Sequence, residues 1–337
     1  MLLAGDIGGT KTRLAAYDVT DASALTSALA PVVEQTFPSG GFGSLEAIVG
    51  DFLSHASIRA DVAGFGVAGP VIEGHSEITN LSWSIDSANL ARTIGIPSVA
   101  LINDLEATAY GVATLGSADF LTLNPGRAAT GNSAVIAAGT GLGMAGLYWD
   151  GSTHRPFACE GGHADFAPRD ALEIELLQYL LGRYEHVSYE RILSGPGLRN
   201  VYEFLHDTGQ GEDGPQLVAA MREGDPAAAI AQAAMAGTSS RADMALDLFV
   251  SIYGAAAGDL ALQFMATGGI YVGGGIAPKI EPRLRRPTFM EAFSAKGRLR
   301  PLLEAIPVRV ILNDRAALLG AGRCAALRAE PATVAAV

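Results

Sequence analysis

The stretch Gly5–Ala15 reads GDIGGTKTRLA, and its grammar is strand, glycine turn, strand. Leu2–Gly5 ahead of the turn has strand composition, Asp6–Lys11 reads as a tight turn, and Thr12–Tyr17 as the returning strand. The adjacent Gly8 and Gly9 allow positive φ in that turn. The same grammar returns later: Val135–Ala138 is a strand, Gly139–Gly143 (GTGLG) a glycine turn, and Met144–Trp149 a returning strand. A second unit also occurs twice. Val99–Ile102 runs into Asn103-Asp104 and helical Leu105–Leu115; Val308–Leu312 runs into Asn313-Asp314 and helical Arg315–Leu327. Repetition of architecture rather than of residues predicts two related α/β lobes with a cleft between them. Ligands in such sheets bind beyond the carboxyl ends of strands, where these turns and acidic residues fall.

The remaining chain fits that frame. Leu45–His55 has helical spacing, Asp61–Val67 is a buried strand ending at Gly69-Pro70, and Val71–Ile78 reads as another strand before polar Thr79–Asp86. Ala171–Arg183 is helical, Pro226–Met265 is an Ala-rich helical region, and Ile270–Val272 is a strand ending in Gly273–Gly275. Residues Glu330 to Val337 read as a loose tail. A length of 337 residues suits two lobes. Apolar residues at 49 % against 17 % charged exclude a disordered chain. The net charge of −12 disfavours nucleic acid and anionic lipid as partners. Two cysteines, Cys159 and Cys324, make neither a disulfide framework nor a zinc cluster, and read as free thiols in a reducing compartment. No basic leader segment opens the chain, and no run approaches the ~20 uninterrupted apolar residues of a membrane helix.

One glycine cluster needs no more than a tight turn to explain it; three, each at a strand end, point to a nucleotide site where backbone N–H groups approach phosphate. A Walker A loop is excluded, because none of Lys11, Lys279 and Lys296 follows a glycine. Two GxGxxG matches occur, Gly64-Gly66-Gly69 and Gly141-Gly143-Gly146, but each is followed by β-like residues rather than a helix, so neither reads as a dinucleotide fingerprint. Asp104, at a strand end, suits a base that accepts a proton from an alcohol; taken alone, a helix cap is the stronger reading. Asn313-Asp314 reads as a cap or a packing device. Glu160-Gly161-Gly162-His163 makes a poor helix and a good binding loop, with a carboxylate and an imidazole suited to adjacent sugar hydroxyls. Glu190 reads equally as a sugar ligand or as a solvated residue opening a helix.

Taken together, GDIGGTKTRLA (Gly5–Ala15), LINDLEA (Leu101–Ala107), AAGTGLG (Ala137–Gly143), EGGHADFAP (Glu160–Pro168), HVSYERILSGPGL (His186–Leu198) and GGIYVGGGIAPK (Gly268–Lys279) resemble, in order and over nearly the whole chain, the bacterial glucokinase family of the hexokinase–actin superfamily, of the non-ROK type. The chain departs from that family at Lys11-Thr12, which is similar to the ROK sugar kinases; the Cys-rich zinc segment of ROK members is absent.

The resemblance implies a two-lobed actin-like ATPase fold of ribonuclease H-like type with a central cleft. The small lobe would be residues 1–112 plus 314–337, and the large lobe residues 113–313. It implies transfer of phosphate from ATP, with Mg2+, to the 6-hydroxyl of glucose in the cytoplasm. Asp104 would be the base, and Asn103, Asp104, Glu160, His163 and Glu190 would hold the sugar. Gly5, Asp6, Ile7, Gly8, Gly9 and Thr10 would form the first nucleotide segment, with Asp6 acting on magnesium through water. Thr140, Gly141 and Gly143 would form the second phosphate loop, and Gly274 and Gly275 would flank the adenosine. A homodimer is compatible with the family. The rival expectations are another hexose or phosphoryl donor, such as polyphosphate, and a non-catalytic sugar sensor on the same fold.

Overall fold

The structure, a computed structural model, describes residues 1–19, 21–78, 81–127 and 129–329. Thr79 at the start of the polar segment and the expected tail Glu330–Val337 lie outside the described residues. The chain divides into two compact units: residues 1–119, 155–158 and those from 313 onward form the first; residues 120–154 and 159–312 form the second.

The first unit is built on a five-stranded sheet. Its strands are β1 (Leu2–Ile7), β2 (Lys11–Tyr17), β3 (Val33–Pro38), β4 (Val62–Val67) and, after the short pair β5 (His75–Glu77) and β6 (Ser84–Asp86), β7 (Ser98–Asn103), in the order β3-β2-β1-β4-β7. β1 pairs antiparallel with β2 and parallel with β4, which is parallel to β7. The register sets Ile7, Val67 and Asn103 side by side at one sheet end. The expected turn is shorter than Asp6–Lys11: Asp6 and Ile7 stay in the ladder, with Asp6 opposite Arg13. The expected strand Val71–Ile78 shrinks to β5, because Glu73 and Gly74 both take positive φ (51° and 79°) and turn the chain. Residues Ser87–Ile94, which carry no element in the sequence reading, form a helix, and Asp86 caps it by accepting from Asn89 N–H.

The C-terminal helix, Ala316–Ala329, closes this unit against β1, β4, β7 and helix Asp104–Val112. Its approach leaves no room for side chains. A Cβ on Gly320 would collide with the Ala107 carbonyl oxygen, one on Gly111 with that of Ala316, and one on Gly64 with that of Ala321. A glycine in a helix costs about 1 kcal/mol relative to alanine, and here it permits backbone-to-backbone packing that alanine forbids.

The second sheet is six-stranded, made from β8 (Phe120–Asn124), β9 (Ser133–Ala138), β10 (Leu142–Trp149), β11 (His154–Cys159), β12 (Gly269–Gly273) and β13 (Val308–Ile311), in the order β11-β10-β9-β12-β13-β8, and all of its strands but β11 lie wholly in the second unit. β9 and β10 form an antiparallel pair, while β12 runs parallel to both β9 and β13. The expected helical region Pro226–Met265 is two helices, Pro226–Ala236 and Ser240–Gln263, broken by Gly237 in the left-handed region. Helix Ser240–Gln263 is long and apolar enough to cross a membrane, yet 78 % of its most apolar window is buried in the unit, where it packs against helices Pro226–Ala236 and Pro287–Ser294. Its Asp243 and Asp247 take the fully buried Arg283, which also donates to the Ala234 carbonyl.

Replacing Gly320 by alanine tests the close helix packing. Higher helix propensity would favour the variant by about 1 kcal/mol, but overpacking costs about 1–3 kcal/mol and here the obstacle is backbone that no rotamer relieves. A lower urea midpoint, with the slope unchanged, is the expected outcome of equilibrium denaturation.

Candidate functional site

In the first unit the chain leaves β1 at Ile7 and turns back at Lys11. Gly8 is not in the left-handed region. Its need for glycine is proximity: a Cβ would sit 3.1 Å from the Lys11 carbonyl oxygen, to which Gly8 N–H donates internally at 3.0 Å. Ser39, unnoticed in the sequence, braces this turn. Its N–H donates to Thr10 O at 3.0 Å, its hydroxyl donates to Gly8 O at 2.7 Å, and it shares a hydrogen bond with buried Thr12. The Lys11-Thr12 pair therefore divides: Thr12 points into the protein and Lys11 is exposed.

Asp6, on β1 beside this turn, has a carboxyl pKa raised chiefly by burial; Arg13 opposes the shift and Asp314 adds to it. Arg13 donates to the Asp314 carboxylate at 2.9 Å. Asn313 accepts from Arg315 N–H and donates to Asp119. The second Asn-Asp pair is thus a turn-and-ion-pair device inside the first unit, as a cap or packing role requires.

At the end of β7 the division is different. Asn103, not Asp104, is the helix cap: its Oδ1 accepts from the N–H groups of Leu105 and Glu106 at 2.8 and 3.3 Å, and its Nδ2 donates to Gly69 O at 3.0 Å. Asp104 is the first helical residue, half-buried, with Oδ1 accepting from Leu105 N–H at 2.9 Å. Its Cα lies over Gly66 of β4, where a Cβ would come within 3.8 Å.

The second unit gathers the other four clusters. Gly273 lies beside Ala137 in the sheet register, and Ile276 N–H donates to Ala138 O, so the turns Gly139–Gly143 and Gly273–Gly275 leave the same sheet end together. Gly274 has φ 83°, and a Cβ there would collide with the Ala138 carbonyl. Tyr253, fully buried on the core helix, ties these strand ends: its hydroxyl accepts from Ala138 N–H at 3.1 Å and lies 3.2 Å from Ile136 O and 3.3 Å from Gly273 O. Burial raises its pKa and keeps it a neutral donor. A tyrosine within an Ala-rich helical stretch carries no sequence signal of this role.

Glu160 precedes and His163 ends the single turn Gly161–His163, both exposed, with His163 Nε2 3.9 Å from Glu160 Oε2. The two glycines are packing sites: Gly162 abuts the Leu142 carbonyl, and a Cβ on Gly161 would meet Met144 Sδ at 2.7 Å. The following segment is bridged to the one carrying Glu190 through Asp165 and Ser188, and Tyr189 N–H donates to Ala164 O at 3.0 Å. Tyr189 OH in turn donates to Asp259, which is ion-paired with Lys296. Glu190 does not open an α-helix; it sits in the turn Tyr189–Arg191, and its Oε2 accepts from Leu142 N–H at 2.9 Å, at the second glycine loop. A cavity of about 390 Å³ is lined by His163, Tyr184, His186, Ser188, Glu190 and Arg191, among others. Arg191 stacks over the Tyr184 ring at 4.2 Å.

The second unit sets two glycine turns at one sheet end beside the turns that carry Glu160, His163 and Glu190, and the first unit sets Asp104 at the end of β7. Mg2+, which the sequence resemblance implies, fits these residues in one manner only. Among the described residues no group of three or more Asp, Glu, His or Cys could hold a metal, so the ion would be held chiefly by phosphate oxygens and water. Asp6, a carboxylate disfavoured by burial, gains from a nearby cation.

A family model described as Glucokinase matches residues 3–328. The chain is 43 % identical over 342 residues to the glucokinase of Nostoc sp. (strain PCC 7120), covering 97 % of this chain and 99 % of that one. It is 42 % identical over 345 residues to the glucokinase of Synechocystis sp. (strain PCC 6803), covering 96 % and 97 %. The structure of a glucokinase from an Antarctic psychrotroph superposes with TM-score 0.82 at 33 % identity, covering 96 % of this chain and 98 % of that one. A ROK family glucokinase from Streptomyces griseus, solved with glucose and AMPPNP, shares the fold at TM-score 0.66 and 22 % identity, covering 96 % and 98 %.

Two measurements follow from this geometry. Tyr253→Phe strands Ala138 N–H in a buried site, at a cost of about 1–3 kcal/mol, and should lower the denaturation midpoint while weakening nucleotide more than sugar in calorimetric titration. For Asp6 the sign is set by its raised pKa. Its stability contribution is fully present below the unfolded-state pKa and is lost as pH rises through the native value. Asp6→Asn should therefore be more stable than the parent at about pH 7 and lose that advantage as pH falls through the carboxylate range, read by thermal melts at stepped pH, while its turnover drops.

Proposed function

The chain belongs to the glucokinase family, and from that premise we propose that it transfers the γ-phosphoryl group of ATP to the 6-hydroxyl of D-glucose, with Asp104 as general base. The observation that supports the assignment is the division of roles at the end of β7. Asn103 supplies the helix cap, and Asp104 follows as the first helical residue, where a negative side chain is favoured.

Glu160, His163 and Glu190 bind the hydroxyls remote from the reacting carbon, and Asn103 contributes through its amide. Asp104 accepts the proton of the 6-hydroxyl as that oxygen bonds to the γ-phosphorus; the bond to the β–γ bridging oxygen breaks and ADP departs. Little covalent chemistry falls to the protein in such a transfer, so positioning and charge stabilisation dominate. The backbone of Gly8, Gly9 and Thr10 and that of Thr140, Gly141 and Gly143 holds the phosphates, while Gly274 and Gly275 leave room for the adenosine. Asp6 would orient the water shell of a Mg2+ ion bound with the nucleotide, and that ion would supply positive charge to offset the phosphate oxygens. The small lobe of this reading is residues 1–112 with 314–337 and the large lobe residues 113–313. A homodimer and a cytoplasmic location belong to the same reading on the family resemblance.

The test is a coupled assay of the purified protein against a panel of hexoses and donors, with Asp104→Asn alongside. The variant should bind glucose within a few-fold of the parent and turn over about 10²–10⁴-fold more slowly. Turnover at the parent rate would leave Asp104 a helix residue only, and equal activity with polyphosphate would replace ATP as the donor.

A further inference from the structure

We infer that Glu190 serves two ligands at once, holding the second glycine loop with one carboxylate oxygen while presenting the other to the sugar, so that sugar affinity and phosphate grip are coupled through this side chain. The inference rests on the glucokinase reading and deepens it.

The geometry lies wholly within the second unit. Glu190 Oε2 accepts from Leu142 N–H at 2.9 Å. It also occupies the space beside Gly141: a Cβ built there would meet Oε2 at 2.5 Å and the Glu190 carboxyl carbon at 3.4 Å. Glu190 at the same time lines the cavity that His163 borders. The main chain around it is held to the same loop. Gly195 N–H donates to Gly139 O at 2.8 Å, Ser194 Oγ donates to Glu190 O at 2.8 Å, and Gly162 abuts the Leu142 carbonyl. A carboxylate has two oxygens and about four lone-pair sites, so it can accept from a loop N–H and a sugar hydroxyl together. A hydroxyl that draws the carboxylate toward the cavity changes its bond to Leu142. A phosphate that reorders the loop changes where the carboxylate points. Such coupling is reciprocal by thermodynamic necessity.

The decisive variant is a substitution in the glycine loop that alters sugar binding. Gly141→Ala adds a methyl whose only obstacle within 4 Å among the described residues is the carboxyl end of the Glu190 side chain, and Gly141 is outside the left-handed region, so the backbone tolerates alanine. Gly139→Ala is the control in the same loop, because its Cβ would reach nothing nearer than Gly275 N at 4.0 Å. Titration calorimetry with glucose alone, no nucleotide present, should show Gly141→Ala weakened at least about fivefold and Gly139→Ala within twofold of the parent, roughly the error of such comparisons. Glu190→Ala, titrated with AMPPNP and Mg2+ in the absence of glucose, should bind the nucleotide several-fold more weakly, since Leu142 N–H loses its acceptor; a residue that touched only sugar would leave this value unmoved. Glucose affinity of Gly141→Ala equal to that of Gly139→Ala and of the parent overturns the coupling and leaves the glucokinase reading intact. So does parental AMPPNP affinity in Glu190→Ala. A parent protein that fails to bind glucose at all overturns both.

Discussion

Leu142 is the residue on which the arrangement of the second unit's candidate site depends. Its carbonyl lies against Gly162 and its N–H is taken by Glu190. The two successive peptide groups of this residue thus join the glycine loop to both segments that carry hydroxyl-binding candidates. A side chain at 162 would push the Glu160–His163 turn away from β10, and the loss of an acceptor at 190 would leave the Leu142 N–H without its partner. Buried or half-buried backbone donors without partners are costly, on the order of 1–3 kcal/mol each, so the loop's shape and the position of Glu190 stabilise one another.

Around that residue the remaining contacts act as supports. Tyr253 reaches the ends of β9 and β12 from the core helix, fixing where the turns Gly139–Gly143 and Gly273–Gly275 begin. Lys296 and Asp259 steady Tyr189, whose N–H holds Ala164 just past the Glu160–His163 turn. These are indirect roles: the side chains set the positions of the backbone and side-chain groups named as candidates for ligand contact.

The first unit solves a different problem, that of bringing the chain's last helix onto its first strand. Arg13 pairs with Asp314 across 301 positions, and Arg315 reaches Tyr17 and Glu34. The helix lies close on β4 because Gly64 has no Cβ, and close on helix Asp104–Val112 because Gly111 and Gly320 have none. The sheet end where Ile7, Val67 and Asn103 align is therefore backed by residues from both ends of the chain.

Much of this was legible locally. Short runs of strand-forming residues that end in glycine or Asn-Asp turns marked β1, β2, β4, β7, β9, β10, β12 and β13 to within a few residues, because a strand's composition and its turns are written in its own sequence. The three glycine clusters, the Glu160–His163 segment and the strand-end Asp104 were visible for the same reason, and their order along the chain was enough to indicate the family. What the sequence could not convey was which neighbour each glycine serves and which polar atom each side chain meets. Gly162 and Gly320 look alike in the text, yet one admits a carbonyl beside the Glu160–His163 turn and the other a packed helix. Asn103 and Asp104 are both acceptable caps, and only the direction in which the chain leaves β7 gave the cap to Asn103. Ser39, Tyr253 and Glu190 acquire their partners across 31, 115 or 117, and 48 positions. Periodicity records whether a residue faces in or out, but a hydrogen bond between distant segments depends on sheet order and register, which exist only once the whole chain has folded.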